Sequence, residues 1–360
     1  MSLPWIGHDA GDMTASDPSH APRPSHVPPS SDLPAPEALA RQMHAASTLA
    51  AQGLRQHLSP SPVRPALGLE PGGSRLLKLE SHLPTGSFKV RGALHRVGSL
   101  SDGERARGVV AASTGNHGAA VAHAAGLAGV GAPVLVPEPT PEGRVQAITA
   151  RGAAVVRSGA ECGEAELAAR QRAAESGEVF VSPYNDETVM AGQGTLAVEL
   201  LEQVPDLGRV YVAVGGGGLI GGVAAVLKHA RPDVEVVGCS PVASHPMHAS
   251  VAAGEIVETD HLPTLSLATA GGLEEGSVTF PPCRHFVDRW ELVEEAEIEG
   301  GLRRFLGEER LLAEGAAAVA LAVWARDPRP ADGRKDCVVV CGGNLDVEDL
   351  RRVLGAPAAS

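Results

Sequence analysis

Short runs of small and β-branched residues recur along this chain, each followed by a longer stretch with helical character. "RGVVAAS" precedes "HGAAVAHAAGLAG", "APVLVP" precedes "PEGRVQAITARG", and "AAVVRSG" precedes "ECGEAELAARQRAAESG". "EVFVSP" precedes "GQGTLAVELLEQV", "RVYVAV" precedes "LIGGVAAVLKHA", and "VEVVGCS" and "DCVVVCGG" are two further runs. Near-continuous apolar strands separated by helices predict parallel strands covered on both faces. The stretch "EEAEIEGGLRRFLGEERLLAEGAAAVALAVWA" predicts two helices. In sheets of this kind ligands bind beyond the carboxyl ends of the strands, so the strand-to-helix loops are the places to search.

Composition supports a globular fold and excludes several classes. The chain has 360 residues, of which 43% are hydrophobic and only 3% aromatic, so its core must be built from closely packed aliphatic and small side chains. A formal net charge of −13, without a Lys/Arg cluster, argues against a nucleic-acid partner. No apolar run has the roughly 20 residues that a membrane helix needs. The N-terminus lacks the basic-then-apolar order of a signal peptide. Cys162, Cys239, Cys283, Cys337 and Cys341 stand singly, which predicts reduced thiols, a cytoplasmic protein and no metal knuckle. Residues 1–36, rich in Pro, Ser and His without hydrophobic period, read as a disordered leader.

Two loops stand out. After "RVYVAV" the chain runs through Gly215, Gly216, Gly217 and Gly218 into a helix. Such a backbone can aim several N–H groups at one anion beside the positive end of the helix, as a phosphate requires. A tight turn would need one glycine, so four in a row favour a ligand. The same letters fit G-x-G-x-x-G, but the next strand ends in Cys239 and Ser240 rather than an acid, which disfavours a dinucleotide. The second loop, "STGNH", places Ser113, Thr114, Gly115, Asn116 and His117 at a strand-to-helix turn. Capping explains it as well as carboxylate binding does.

"PTGSFKVRG" carries Lys89, one of only four lysines, between Phe88 and Val90 just after a Gly-Ser turn that predicts a helix start. An ammonium there, about three residues into a helix, meets the positive dipole end and apolar neighbours. Both depress its pKa and favour Schiff-base chemistry. A phosphate cradle and such a lysine together suggest pyridoxal phosphate.

The blocks "KLESHLPTGSFKVRGAL", "ASTGNHG", "AGQGT", "VGGGGLIGG" and "VVVCGGN", in this order, resemble the serine/threonine dehydratase and serine racemase family of fold-type-II pyridoxal-phosphate enzymes, from about residue 37 to 350. The resemblance implies an α/β fold of two open, mostly parallel sheets flanked by helices, tryptophan-synthase-β-like. Residues 37–106 with 186–355 would form a large cofactor domain and residues 107–185 a small one. It implies that Lys89 carries the cofactor and moves the substrate α-proton, and that Phe88 lies beside the ring. Asn116 would bond the ring's 3-oxygen, and Gly215, Gly216, Gly217, Gly218 and Leu219 would hold the phosphate. Glu314 would lie near the cofactor and Cys341 would face the pyridine nitrogen. Ser113, Thr114 and His117 would grip the substrate carboxylate.

The family's divalent cation would need acids where Ser240 and Pro246 stand, so no metal is expected, and His245 and His248 are too ordinary to replace it. Thr114 stands where racemases carry serine, which favours elimination over racemisation. The implied reaction is dehydration of L-threonine or L-serine to a 2-oxo acid and ammonia by a homodimer. "LPTLSLATAGGLEEGSVTF" departs from the usual threonine pattern and leaves room for a bulkier 3-hydroxy amino acid, such as phenylserine or a hydroxyectoine-derived one. An amino-acid racemase is the other alternative.

Overall fold

The computed structural model describes residues 35–70 and 72–355; the expectation of a disordered leader lies almost wholly outside them. Ten strands form two sheets. The larger contains β1 (Val63–Pro65), β2 (Arg75–Leu79), β7 (Leu207–Ala213), β8 (Glu235–Pro241), β9 (Arg289–Val293) and β10 (Lys335–Val340). Its order is β1-β2-β10-β7-β8-β9, parallel except for β1. The smaller contains β3 (Val109–Ala112), β4 (Val134–Val136), β5 (Val155–Arg157) and β6 (Val179–Phe180), in the parallel order β5-β4-β3-β6. Two mostly parallel sheets flanked by helices are what the apolar runs and the resemblance predict.

Burial explains the strand composition. All five residues of β2 are buried, as are Val338, Val339 and Val340 of β10 and Tyr211 and Val212 of β7. Helices Glu187–Gln203, Gly218–Ala230 and Gly315–Arg326 cover this sheet, using Ala and Gly where backbones approach closely. A Cβ on Gly222, for instance, would sit 2.4 Å from the Met190 carbonyl oxygen on the neighbouring helix. The core under the smaller sheet joins Val109, Ala111, Ala120 and Val121 to Val90, Ala93, Leu94 and Val97 of the helix Lys89–Gly98. Four cysteines are buried and Cys162 is exposed.

Three central neighbours of the larger sheet, β2, β10 and β7, together with β3, deliver the loops that matter. Their carboxyl ends lead into residues 80–88, 341–346, 214–217 and 113–115. The two helices expected near the C-terminus are Glu295–Arg304 and Gly315–Arg326. They are separated by a π-helical turn at Phe305–Glu309 and an extended segment that enters through Arg310 at φ 59°. That detour ends at Glu314, the residue that precedes the second helix. No helix among the described residues is long and apolar enough to cross a membrane.

Candidate active site

Lys89 is the first residue of the helix Lys89–Gly98, not the third, and the turn before it is pinned from both sides. Phe88 N–H donates to the Cys341 carbonyl at 2.9 Å, and Gly343 N–H donates to the Gly86 carbonyl at 2.9 Å. The end of β10 thereby fixes where the lysine starts. Its Nζ donates to the Pro183 carbonyl at 2.8 Å and lies 5.1 Å from the Phe88 ring centroid. Burial pushes its pKa down to about 8, and Cys341 and Glu314 only partly offset that.

Glu314 completes a pair of buried acid and amine. Burial pushes its carboxyl up to about 7, against the opposing pull of the Asn116 amide and Lys89. Asn116 Nδ2 donates to both carboxylate oxygens at 2.9 and 2.8 Å, and Asn116 Oδ1 accepts from Asn344 Nδ2 at 2.7 Å. The amide that the resemblance assigns to a ring oxygen is thus engaged with Glu314 here. Cys341, fully buried, is pushed far above the ordinary thiol range by burial, so it stays a neutral thiol.

A pH dependence follows from Glu314. A carboxyl raised from 4.5 to about 7 penalises the fold progressively as pH rises from 4.5 to 7 and fully above 7. Glu314→Gln should therefore stabilise the cofactor-free protein by about 2 kcal/mol at pH 8 and by nothing at pH 4.5. Thermal melts of both forms at the two pH values check this.

The glycine loop overturns one step of the sequence argument. A Cβ on Gly215 would lie 2.8 Å from Thr269 Cα, on Gly216 2.4 Å from the Tyr184 ring, and on Gly218 3.0 Å from Tyr184 Cα. Gly217 has φ 83°, left-handed backbone that disfavours any side chain. Packing against Tyr184 and Thr269 therefore demands all four glycines, and their number alone does not argue for a ligand. The donor set does. Among the described residues nothing accepts from the N–H groups of Gly216, Gly217, Gly218 or Leu219, at the start of a 13-residue helix. A small cavity of about 40 Å³ runs from these groups to Phe88, Lys89, Asn116, Glu314 and Cys341. It adjoins a cleft of about 520 Å³ lined by Lys89, Ser113, Thr114, Gly115, Asn116 and His117.

These residues fit pyridoxal phosphate: a desolvated amine, a row of open backbone donors and an apolar ring face on Phe88. Two further hydroxyls on the turn before the lysine, Thr85 Oγ1 and Ser87 Oγ, are buried without a hydrogen-bond partner. A family model described as "Pyridoxal-phosphate dependent enzyme" matches residues 54–343. The chain belongs to the pyridoxal-phosphate-dependent enzyme family. It is 39% identical over 283 residues to the L-threonine ammonia-lyase of Thermotoga maritima, covering 79% of this chain and 70% of that one. It is 34% identical to the catabolic L-threonine dehydratase of Escherichia coli K12, covering 79% and 86%. Among solved structures it is similar to maize serine racemase, with TM-score 0.80 and 28% identity over 87% of this chain and 96% of that one.

As a pyridoxal-phosphate enzyme the chain brings Lys89, Phe88, Asn116, Glu314, Cys341, Gly215, Gly216, Gly217 and Leu219 around one cavity, and Ser113, Thr114 and His117 around the adjoining cleft. Gly218 lies at the helix start beside them. His117 is not an open ligand. Its Nε2 pairs with the Val181 carbonyl at 2.8 Å, and burial, with Lys89 nearby, pushes its pKa down to about 3, so the ring is neutral.

Sequence reasoning missed Pro183, Tyr184 and Asn344; only Asn344, inside "VVVCGGN", left a signal there. Ser240 donates to the Val214 carbonyl at 3.2 Å and Pro246 opens the helix Pro246–Ala253. No group of three metal-ligating His, Cys, Asp or Glu side chains occurs among the described residues.

The Gly216 contact gives a direct test of the loop. Gly216→Ala must displace Tyr184 or the loop itself. Cofactor affinity should fall on the order of tenfold to a hundredfold, consistent with a 1–3 kcal/mol overpacking cost. Titration of the cofactor-free protein with pyridoxal phosphate, followed by absorbance, measures it.

Proposed function

We propose that the chain is a pyridoxal-phosphate-dependent ammonia-lyase that converts L-threonine or L-serine to a 2-oxo acid and ammonia. The observation that carries this reading is the buried Lys89–Glu314 pair beside open backbone donors, in a chain 39% identical to an L-threonine ammonia-lyase. A cytoplasmic, catabolic homodimer is the setting that the named relatives favour.

Bound pyridoxal phosphate supplies an aldehyde that joins an amine and a conjugated ring that takes up the electron pair released at the α-carbon. The residues of the chain do the rest. Gly216, Gly217, Gly218 and Leu219 donate backbone N–H groups to a phosphate. Ser113, Thr114 and the start of the helix Asn116–Ala128 hold the substrate carboxylate. That fixes the α-proton toward one face, where Lys89 Nζ, with a pKa of about 8, accepts it. Glu314 takes or returns a proton near neutral pH because burial keeps its carboxyl at about 7. The neutral Cys341 thiol adds no charge to the site, which favours elimination of the β-hydroxyl over chemistry that needs a permanently protonated ring. Loss of that hydroxyl and release of ammonia leave the 2-oxo acid.

One observation favours a second reading, a bulkier 3-hydroxy amino acid. Leu265, Leu267, Ala268 and Ala270 give the 520 Å³ cleft an apolar wall. A panel running from L-serine and L-threonine to phenylserine, scored for 2-oxo acid and ammonia, decides between them. Highest kcat/KM on L-threonine or L-serine is expected. D-amino acid without 2-oxo acid would overturn the lyase reading in favour of a racemase.

A further inference from the structure

The proposed carboxylate loop lacks a cation of its own. His117 is neutral and tied to Val181, while Ser113 and Thr114 offer only hydroxyls. The cleft is lined by three basic side chains besides that histidine: Lys89, Arg144 and Arg151. Lys89 is committed to the Pro183 carbonyl, and Arg151 Nη1 donates back to the Ala147 carbonyl on its own helix. Arg144 is different. It stands on the helix Glu142–Thr149, and its Nη1 reaches Thr114 Oγ1 at 3.4 Å.

Its other edge is occupied. Arg144 Nε donates to Asp346 Oδ2 at 3.1 Å, and Nη2 donates to the same oxygen. Asp346 lies three residues past Gly343, in the segment pinned to Gly86 and, through Asn344 Nδ2, to the Thr85 carbonyl at 2.8 Å. A guanidinium has five N–H groups in a rigid fork, so Nε and Nη2 spent on Asp346 leave Nη1 free to face the loop. Asp346 therefore orients the group without using the edge that points at Thr114.

We propose that Arg144 determines specificity for a free α-carboxylate: its Nη1 edge bonds the substrate carboxylate at the Ser113–Thr114 turn, and Asp346 holds the fork in register. This rests on the ammonia-lyase reading for where the substrate lies, and its test is independent of turnover. L-alanine has no β-hydroxyl to lose, and L-alaninamide has the same shape without the carboxylate charge.

Calorimetric titration of the cofactor-loaded enzyme with each ligand is the experiment. Wild type should bind L-alanine more tightly than L-alaninamide. Arg144→Gln should weaken L-alanine on the order of thirtyfold, as loss of a charge-assisted hydrogen bond requires, and leave L-alaninamide unchanged. Arg144→Lys should restore part of the difference, since it keeps the charge but not the fork. Equal weakening of both ligands, or of neither, in Arg144→Gln overturns the assignment. Arg144-dependent L-alanine binding in an enzyme that turns over no 3-hydroxy amino acid would uphold Arg144 and sink the reaction instead.

Discussion

Lys89→Ala should lower turnover of any accepted 3-hydroxy amino acid by at least about 10³- to 10⁴-fold, because the variant loses both the covalent anchor and the proton acceptor. Borohydride treatment of the loaded wild-type protein should leave the cofactor bonded to the peptide holding residue 89, and mass spectrometry should find none bonded in the variant. Stability should move the other way. A lysine lowered from 10.5 to about 8 weakens the fold as pH falls from 10.5 to 8, and the cost is fully present below 8. That cost is about 3 kcal/mol for a buried amine. Lys89→Met should therefore raise the melting temperature of the cofactor-free protein at pH 7 while abolishing turnover. If turnover survived either substitution, the site assignment would fail.

The second large effect lies two residues further on. Arg91 is 1% exposed and clasped by two buried acids. Nε and Nη2 donate to Glu80 at 2.6 and 2.9 Å, and Nη1 and Nη2 donate to Glu199 at 2.6 and 2.8 Å. Lys78, 0% exposed, donates to Glu199 and to the Ser61 carbonyl, the latter at 3.0 Å. The cluster holds two positive and two negative side chains, so it balances only when complete. Arg91→Met leaves Glu80 without a cation, at a cost of about 3–5 kcal/mol. In a chain of this size that lowers the melting temperature by about 10 °C. Adding Glu80→Gln should recover part of the loss, since it removes the stranded charge. A double variant no more stable than Arg91→Met would refute the balance argument.

The same cluster shows where sequence reading stopped. β3, β4, β7, β8 and β10 were legible because their Val and Ala runs are buried on both faces. β2, "RLLKL", was not, because Lys78 in its middle reads as a surface residue. Its neutralising partner, Glu199, is 121 residues away, and no local pattern reports that pairing. β9, "RWELV", is an edge strand whose charges look like loop until Arg289 meets Glu235 on β8 at 3.0 Å. In the site, Lys89, Asn116 and the glycines sit in short motifs beside strand ends and were readable. Arg144 and Pro183 reach the cleft from elements with no chemical signature of their own. The glycine count was read as ligand-driven because Tyr184, whose ring crowds Gly216, lies 32 residues before it.

The cysteines have a practical consequence. Cys162 is exposed, whereas Cys239, Cys283, Cys337 and Cys341 are buried, and burial holds these four thiols above their ordinary pKa. An alkylating reagent at neutral pH should add one label to the native chain and four more only as strands β8 and β10 and the helix Phe280–Phe286 come apart. Label count by mass then serves as a built-in clock for opening of the larger sheet.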